Sequence, residues 1–318
     1  MRELSVLLAP VFWSLKNDVM KFNWSFYRKT SFYIASSGIF IFLVTKLLNT
    51  GMIRLQNLSP EVFNFLLIKG YSLIFIIIFF MQIINGFVIS LNTYYHSKEM
   101  EVLLISPVSR TSLFFSRLFE THLKASWMLV IFGIPLLIAA GLIYKTNLFF
   151  YFYAVVLFTG FSAIPVHIGA GITILLSGLF HARRLKKFLF STGGFIILFL
   201  VILLRMLKPE RFVNPELFAN LTLFIAEMKT SSFILLPNRW LSESIFDFLS
   251  QTFDIATLIF IALLLLTSYV SMLFLMLIFK KFHYRGWNLL QEGEAILKKK
   301  RQVSQITPVS GGETTPRL

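Results

Sequence analysis

Five histidines, His96, His122, His167, His181 and His283, are the side chains in this sequence best suited to acid–base or metal chemistry near neutral pH. No two of them stand four residues apart with a glutamate between, the spacing that puts two imidazoles of a peptidase helix on one zinc ion. A zinc hydrolase is therefore not expected. The stretch "GFSAIPVHIGAG", Gly160 to Gly171, places Ser162 before His167 on one apolar segment. Five residues along an α-helix turn through about 500°, so these two side chains point about 140° apart and cannot act as nucleophile and base. The chain has no Cys, which removes disulfides, thiolate nucleophiles and thiolate metal sites. It also has no Gly-rich loop ending in Gly-Lys-Ser/Thr of the kind that cradles phosphates.

The elements that must carry these residues are apolar. Hydrophobic residues make up 56% of the 318 and charged ones 14%, where globular domains carry about 25% charge. This composition predicts an all-α polytopic membrane protein, and the 37 Phe suit lipid-facing and packing surfaces that need no polar partner. Segments long enough to cross about 30 Å of hydrocarbon fall near residues 31–48, 70–91, 127–144, 149–180, 188–204 and 255–279. Six transmembrane helices are thus expected. The surest is the second, whose middle reads "LIFIIIFF", and the first must let Lys46 snorkel to the interface.

Of the 30 Lys and Arg, 21 fall before the first span, after the second, after the fourth and in the C-terminal tail. The positive-inside rule then sets both termini in the cytoplasm and the chain in the cytoplasmic membrane. Topological marking accounts for the net charge of +15, so no nucleic acid partner is expected. No cleavable signal peptide is expected either. Residues 1–30 have helical apolar spacing (Val11, Phe12, Leu15, Val19, Phe22) and are read as an interfacial helix touching membrane lipid. Residues 31–280 form the membrane domain, and 281–318 a cytoplasmic polar tail whose end, "PVSGGETTPRL", is read as disordered.

Between the second and third spans lies "YYHSKEMEVLLISPVSRTSLFFSRLFETH", Tyr94 to His122. Lys98 to Ile105 makes about two helical turns, with Met100, Leu103 and Leu104 on one side. Pro107 stops it, because the residue before a proline is pushed out of the α region. Thr111 is placed to cap a second helix in which Leu113, Phe114 and Leu118 face one way and Arg117, Glu120 and Lys124 stay wet. A short apolar-and-charged helix at the cytoplasmic surface, about residues 97–110, is suited to a groove on a soluble partner.

The run "EMEVLLISPVSRTSLFFSRLFE", Glu99 to Glu120, resembles the signature of ABC-2-type exporter permeases, and "LPNRW", Leu236 to Trp240, resembles the outer segment of the same exporter group. The resemblance covers roughly residues 1–287. It implies the membrane-spanning permease subunit of an ATP-driven exporter, itself no enzyme, with a coupling helix that contacts an ABC ATPase subunit. The residues it implies for that contact are Glu99, Glu101, Leu103, Leu104, Pro107 and Arg110. ATP and Mg would then belong to the partner and no cofactor to this chain. Larger members carry two six-span halves, so a second half, identical or homologous, is expected as a further partner. "LSGL", Leu176 to Leu179, resembles an ABC signature loop but ends an apolar span, and "HSKEME" has His96 and Glu101 where acyltransferases use Asp; both are read as coincidence.

Pro165 in the fourth span frees a backbone carbonyl, and Gly169 and Gly171 permit close packing. His167 is read as a satisfied packing residue or, with Gln82 and Asn85 of the second span, as a polar spot along a translocation path. Residues 206–254 contain two stretches of helical spacing, "FVNPELFANLTLFIAEM" and "RWLSESIFDFLSQTF", read as short extracellular or re-entrant helices before the last span. A secondary transporter or channel, and a membrane-embedded enzyme, are the alternatives; the spans hold almost no mid-membrane charge for the first and no catalytic constellation for the second.

Overall fold

The computed structural model describes residues 24–54, 60–127, 129–179 and 236–306, together with the isolated Leu7 and Ala9. Among these every element is helical. The chain runs α1 (Trp24–Arg54), α2 (Pro60–Leu91), a π-helical turn (Asn92–His96), α3 (Lys98–Ile105), α4 (Arg110–Ala125), a second π-helical turn (Leu129–Gly133), α5 (Ile134–Ile143), α6 (Leu148–Leu179), α7 (Pro237–Leu249) and α8 (Ile255–Ile306).

Among the described residues three helical stretches are long and apolar enough to cross a membrane: Leu67–His96, Leu148–Leu179 and Ile255–Gln291. They coincide with the second, fourth and sixth expected spans. The third expected span forms the latter part of a broken pair, Arg110–Ala125 with Leu129–Ile143, bent by 45°, which makes a fourth crossing if the pair is one span. The first expected span lies in α1, whose apolar stretch is the shorter Thr30–Leu43. The fifth, the segment "FVNPELFANLTLFIAEM", most of the N-terminal interfacial helix and the "PVSGGETTPRL" end lie outside the described residues. Past residue 280, α8 continues helical through the basic Lys298–Arg301 run to Ile306.

The central helix is α6, packed between α2 and α8. Between apolar helices in lipid there is little hydrophobic drive, so packing depends on how closely backbones approach. At the α2–α6 crossing a Cβ on Gly86 would meet Val166 Cα at 3.1 Å, and one on Gly169 would strike the Ile83 carbonyl and the Phe87 nitrogen. Thr173 Oγ1 donates to the Phe87 carbonyl at 2.9 Å beside that crossing. Pro165 sits inside α6, which runs unbroken from Leu148 to Leu179.

Two clusters lie at opposite ends of this core. One joins Tyr71, Phe75 and Phe79 of α2 to Leu136 of α5, Phe158 and Phe161 of α6, and Trp240, Ile245 and Phe246 of α7. The amphipathic pattern of "RWLSESIFDFLSQTF" thus produces a helix buried against α2, α6 and α8, with Pro237 in its first turn. Asn238 Nδ2 ties it to Ser72 Oγ at 2.7 Å, and Tyr153 donates to the Ser244 carbonyl at 3.0 Å. Asp254 accepts from the Thr257 amide at 2.9 Å and so caps the start of α8; this bond, joined by the Thr257 hydroxyl, holds its carboxyl below the usual range. Burial pushes the neighbouring Asp247 carboxyl up. The other cluster joins Leu91, Tyr94 and Tyr95 to Met100, Phe114 and Leu118 and to Leu275 and Phe279 of α8.

The glycines of α6 differ in what surrounds them. At Gly171 the nearest atoms to an added Cβ are ordinary contacts at 3.7 Å. Gly169→Ala should therefore lower the thermal midpoint of the detergent-purified protein, at a cost of about 1–3 kcal/mol for overpacking. Gly171→Ala should leave it unchanged or slightly higher. Equal losses in both variants would mean that the crossing does not run through Gly169.

Candidate functional site

The helix expected at Lys98–Ile105 forms with those bounds and is followed by the extended Ser106 and then Pro107. Ser106 folds back on it, its hydroxyl donating to the Val102 carbonyl at 2.7 Å. Glu99 and Glu101 occupy the first turn, where carboxylates complement the helix dipole. The second helix starts one residue before the expected cap: Ser109, not Thr111, is the cap, its Oγ accepting from the Ser112 amide at 3.2 Å. Serine takes the role because Ser109 keeps extended backbone geometry just before the first helical residue.

A larger departure concerns Arg117 and Glu120, expected to be wet and found buried at 3% and 7% exposure. Their burial is possible because each charge is partnered. Arg117 Nη1 donates to Glu120 Oε2 at 2.6 Å, while Arg117 Nη2 lies 3.2 Å from Glu99 Oε2. Lys124 Nζ reaches Glu120 Oε1 at 2.5 Å from the exposed side. Arg117 thus clamps α3 to α4 across the turn. The pairs at i,i+3 and i,i+4 within α4 were legible as spacing; the third partner, eighteen residues upstream, required the turn at Pro107 to bring α3 back.

The six residues implied for partner contact divide by exposure. Glu99, Glu101, Pro107 and Arg110 are exposed, whereas Leu103 and Leu104 are half-buried and pack with Met100 towards the cluster of Tyr94, Phe114 and Phe279. Two residues that sequence reading passed over form the free apolar edge of α3: Val102 at 60% and Ile105 at 86% exposure. Helical periodicity around Met100 was the available signal, since it puts these two opposite the buried stripe.

Of the three residues expected along a translocation path, two reach α4. Asn85 Nδ2 donates to the Ala125 carbonyl at 3.0 Å, tying α2 to the end of α4. Gln82 is fully buried, and both its amide atoms lack a hydrogen-bond partner. His167 meets the same helix about one turn earlier, with Nε2 at 3.1 Å from His122 Nε2 and Nδ1 at 2.7 Å from Ser271 Oγ. Ser162 makes no part of this set, in keeping with the angular argument. His283 is a packing residue, stacked on Phe279 at 4.3 Å between centroids. Among the described residues no cluster of three or more His, Asp or Glu is placed to hold a metal.

These features define a class: a chain whose described residues are built round apolar helices of membrane-crossing length, with a charged helical elbow braced at one end. The chain belongs to the family described as "Putative ATP-binding cassette", whose model matches residues 27–310, nearly its whole length. No curated protein and no solved structure matches it.

This match corrects several expectations at once. The family is an ATP-binding cassette one, so the assignment to the ABC-2-type exporter permeases does not stand, nor does the permease-subunit role that followed from it. The expectation that the chain is no enzyme and leaves ATP and Mg wholly to a partner is likewise overturned, because an ATP-binding cassette implies nucleotide on this chain and ATP hydrolysis as its activity. The "SPVSR" resemblance misled because a short charged turn between apolar helices is weak in family information.

ATP is thus the group the family implies, and the described residues do not fit it. A phosphate cradle needs successive backbone N–H groups on a Gly-rich loop leading from a strand into a helix, with a Lys on the phosphates. The full sequence contains no such loop, and the described residues include no strand. The matched region is also the region that forms the apolar helices.

Removing Arg117 takes one of two cations from the buried Glu120 carboxylate. Arg117→Met should lower the thermal midpoint strongly, towards the lower end of about 3–5 kcal/mol, since Lys124 still holds Glu120. Arg117→Met combined with Glu120→Leu should recover most of the loss. A double variant no more stable than the single one would show that the ion pair is not the unit being broken.

Proposed function

We propose that the chain is a membrane-embedded member of an ABC-type transport system and that the α3 elbow is its docking surface for a soluble subunit of that system. The observation that carries this reading is the elbow itself. Val102 and Ile105 present an apolar edge to solvent, Glu101, Pro107 and Arg110 flank it, and Arg117 fixes its angle from behind. A helix that exposes its apolar edge while its base is locked is suited to seat in a groove on such a subunit.

The membrane arrangement we propose has six crossings with both ends in the cytoplasm, in the cytoplasmic membrane. The three long apolar helices support it, as does the bias of basic residues to the elbow side. A second copy or a homologous half is the further partner we propose. The surface of α8, where Leu258, Leu266, Val270, Phe274 and Leu277 are all exposed, supports contact with lipid or such a half.

Reporters fused after Lys124, Lys187 and Lys300 should read cytoplasm, and those after Ile53, Lys145 and Lys229 the exterior. An exterior reading at Lys124 would remove the elbow from any cytoplasmic partner. For docking, Ile105→Asp should reduce co-purification of a soluble ABC-type subunit at least tenfold while the protein inserts and melts as before, since a charge without a partner in an apolar groove costs several kcal/mol. Undiminished co-purification would defeat the docking role and leave the topology untouched.

A further inference from the structure

Between α4, α6 and α8 lies a cavity of about 440 Å³ that the elbow does not use. Its walls are apolar, from Phe115 and Phe119 of α4 to Leu265 and Met272 of α8, and its polar members include the imidazoles of His122 and His167. Phe119, Leu265 and Tyr269 on its rim are 38%, 41% and 56% exposed on the flank that the apolar helices turn outward. The volume falls in the range of pockets that hold small ligands.

The hydrogen bonds join the polar set across three helices. His167 Nδ1 lies 2.7 Å from Ser271 Oγ, which lies 2.8 Å from the Ser268 carbonyl, and His167 Nε2 lies 3.1 Å from His122 Nε2. His122 Nδ1 is the ring nitrogen left outside this series, on a ring that lines the cavity.

We propose that this cavity binds an uncharged single-chain amphiphile with a hydroxyl head, the chain lying along Phe115, Phe119 and Leu265 and the hydroxyl paired with His122 Nδ1. Among the described residues the lining contains no Lys or Arg, so a carboxylate or phosphate head would be buried without a cation, whereas a hydroxyl both donates and accepts and suits that nitrogen in either tautomer. A pure hydrocarbon would fill the walls but leave the nitrogen without a partner. The series from His122 through His167 and Ser271 to the Ser268 carbonyl holds the ring in place. The inference rests on the membrane placement proposed above, which the fusion reporters test separately, and is independent of the docking role of α3.

The test is photolabelling of the full chain in phosphatidylcholine nanodiscs with a diazirine-bearing hexadecanol, the labelled residues being mapped by mass spectrometry. Labels are expected on the cavity faces of α4 and α8. Unlabelled hexadecanol should suppress them at about three- to tenfold lower concentration than hexadecane or palmitate, the span of one hydrogen bond. His122→Phe should erase that preference. Because this change also removes a partner of His167, Ala163→Leu serves as a second variant: it fills the cavity and should abolish labelling there by any probe. Labels spread evenly over lipid-facing residues, equal competition by hexadecane or palmitate, or full labelling in Ala163→Leu would overturn the proposal.

Discussion

The close approach of α2 and α6 is the constraint on which the rest of the described structure depends. With Gly86 and Gly169 facing each other's backbones, the two helices touch without intervening side chains, and Thr173 can reach the Phe87 carbonyl. That contact fixes where α2 ends, and so where Tyr94 and Tyr95 enter the cluster that receives Met100 of α3. It also fixes the face of α6 that carries His167 towards α4 and α8. A second close approach, of Gly286 on α8 to Ser177 and Gly178 on α6, fixes α8 at the other end. In an environment where apolar surface gains little from leaving lipid, small residues at these points do the work that burial does in water.

Among the described residues charge enters this core at one place, and the elbow shows what that costs and gives. Arg117 and Glu120 are out of solvent, which is unfavourable for each alone, and they persist because four charged groups from two helices satisfy one another. The gain is geometric. An α3 held only by Leu103 and Leu104 could slide along the apolar cluster, whereas a forked guanidinium reaching Glu99 fixes both distance and angle.

How much of this the sequence disclosed follows from the physics of each element. Length and hydropathy marked Leu67–His96, Leu148–Leu179 and the start of α8 within a few residues, because a span is long and uniform. The α3 helix was legible from Pro107 and the Met100 stripe. The burial of Arg117 was not, since Arg117, Glu120 and Lys124 on one helix read as a solvated face until α3 folds back to supply Glu99. The His122–His167–Ser271 set was equally hidden, for its members come from three helices and no spacing along the chain relates them. Ser162, on the same helix as His167, could be excluded by angle alone.

Family membership and local chemistry pull in different directions here, and the difference is instructive. A family description attaches to the whole of residues 27–310, whereas holding a triphosphate is a property of a few backbone amides and one Lys in a fixed arrangement. A sequence can keep the patterned hydrophobicity that makes it match a family while only certain positions bear the named chemistry. In this chain the described positions bear other chemistry: a locked ionic elbow at one end of the helices, and an imidazole pair beside an apolar cavity within them. The two share one element, since α4 carries Arg117 of the first and His122 of the second, about a turn and a half apart on one helix. The ion pair that sets where α4 lies against α3 therefore also sets where one wall of the cavity stands.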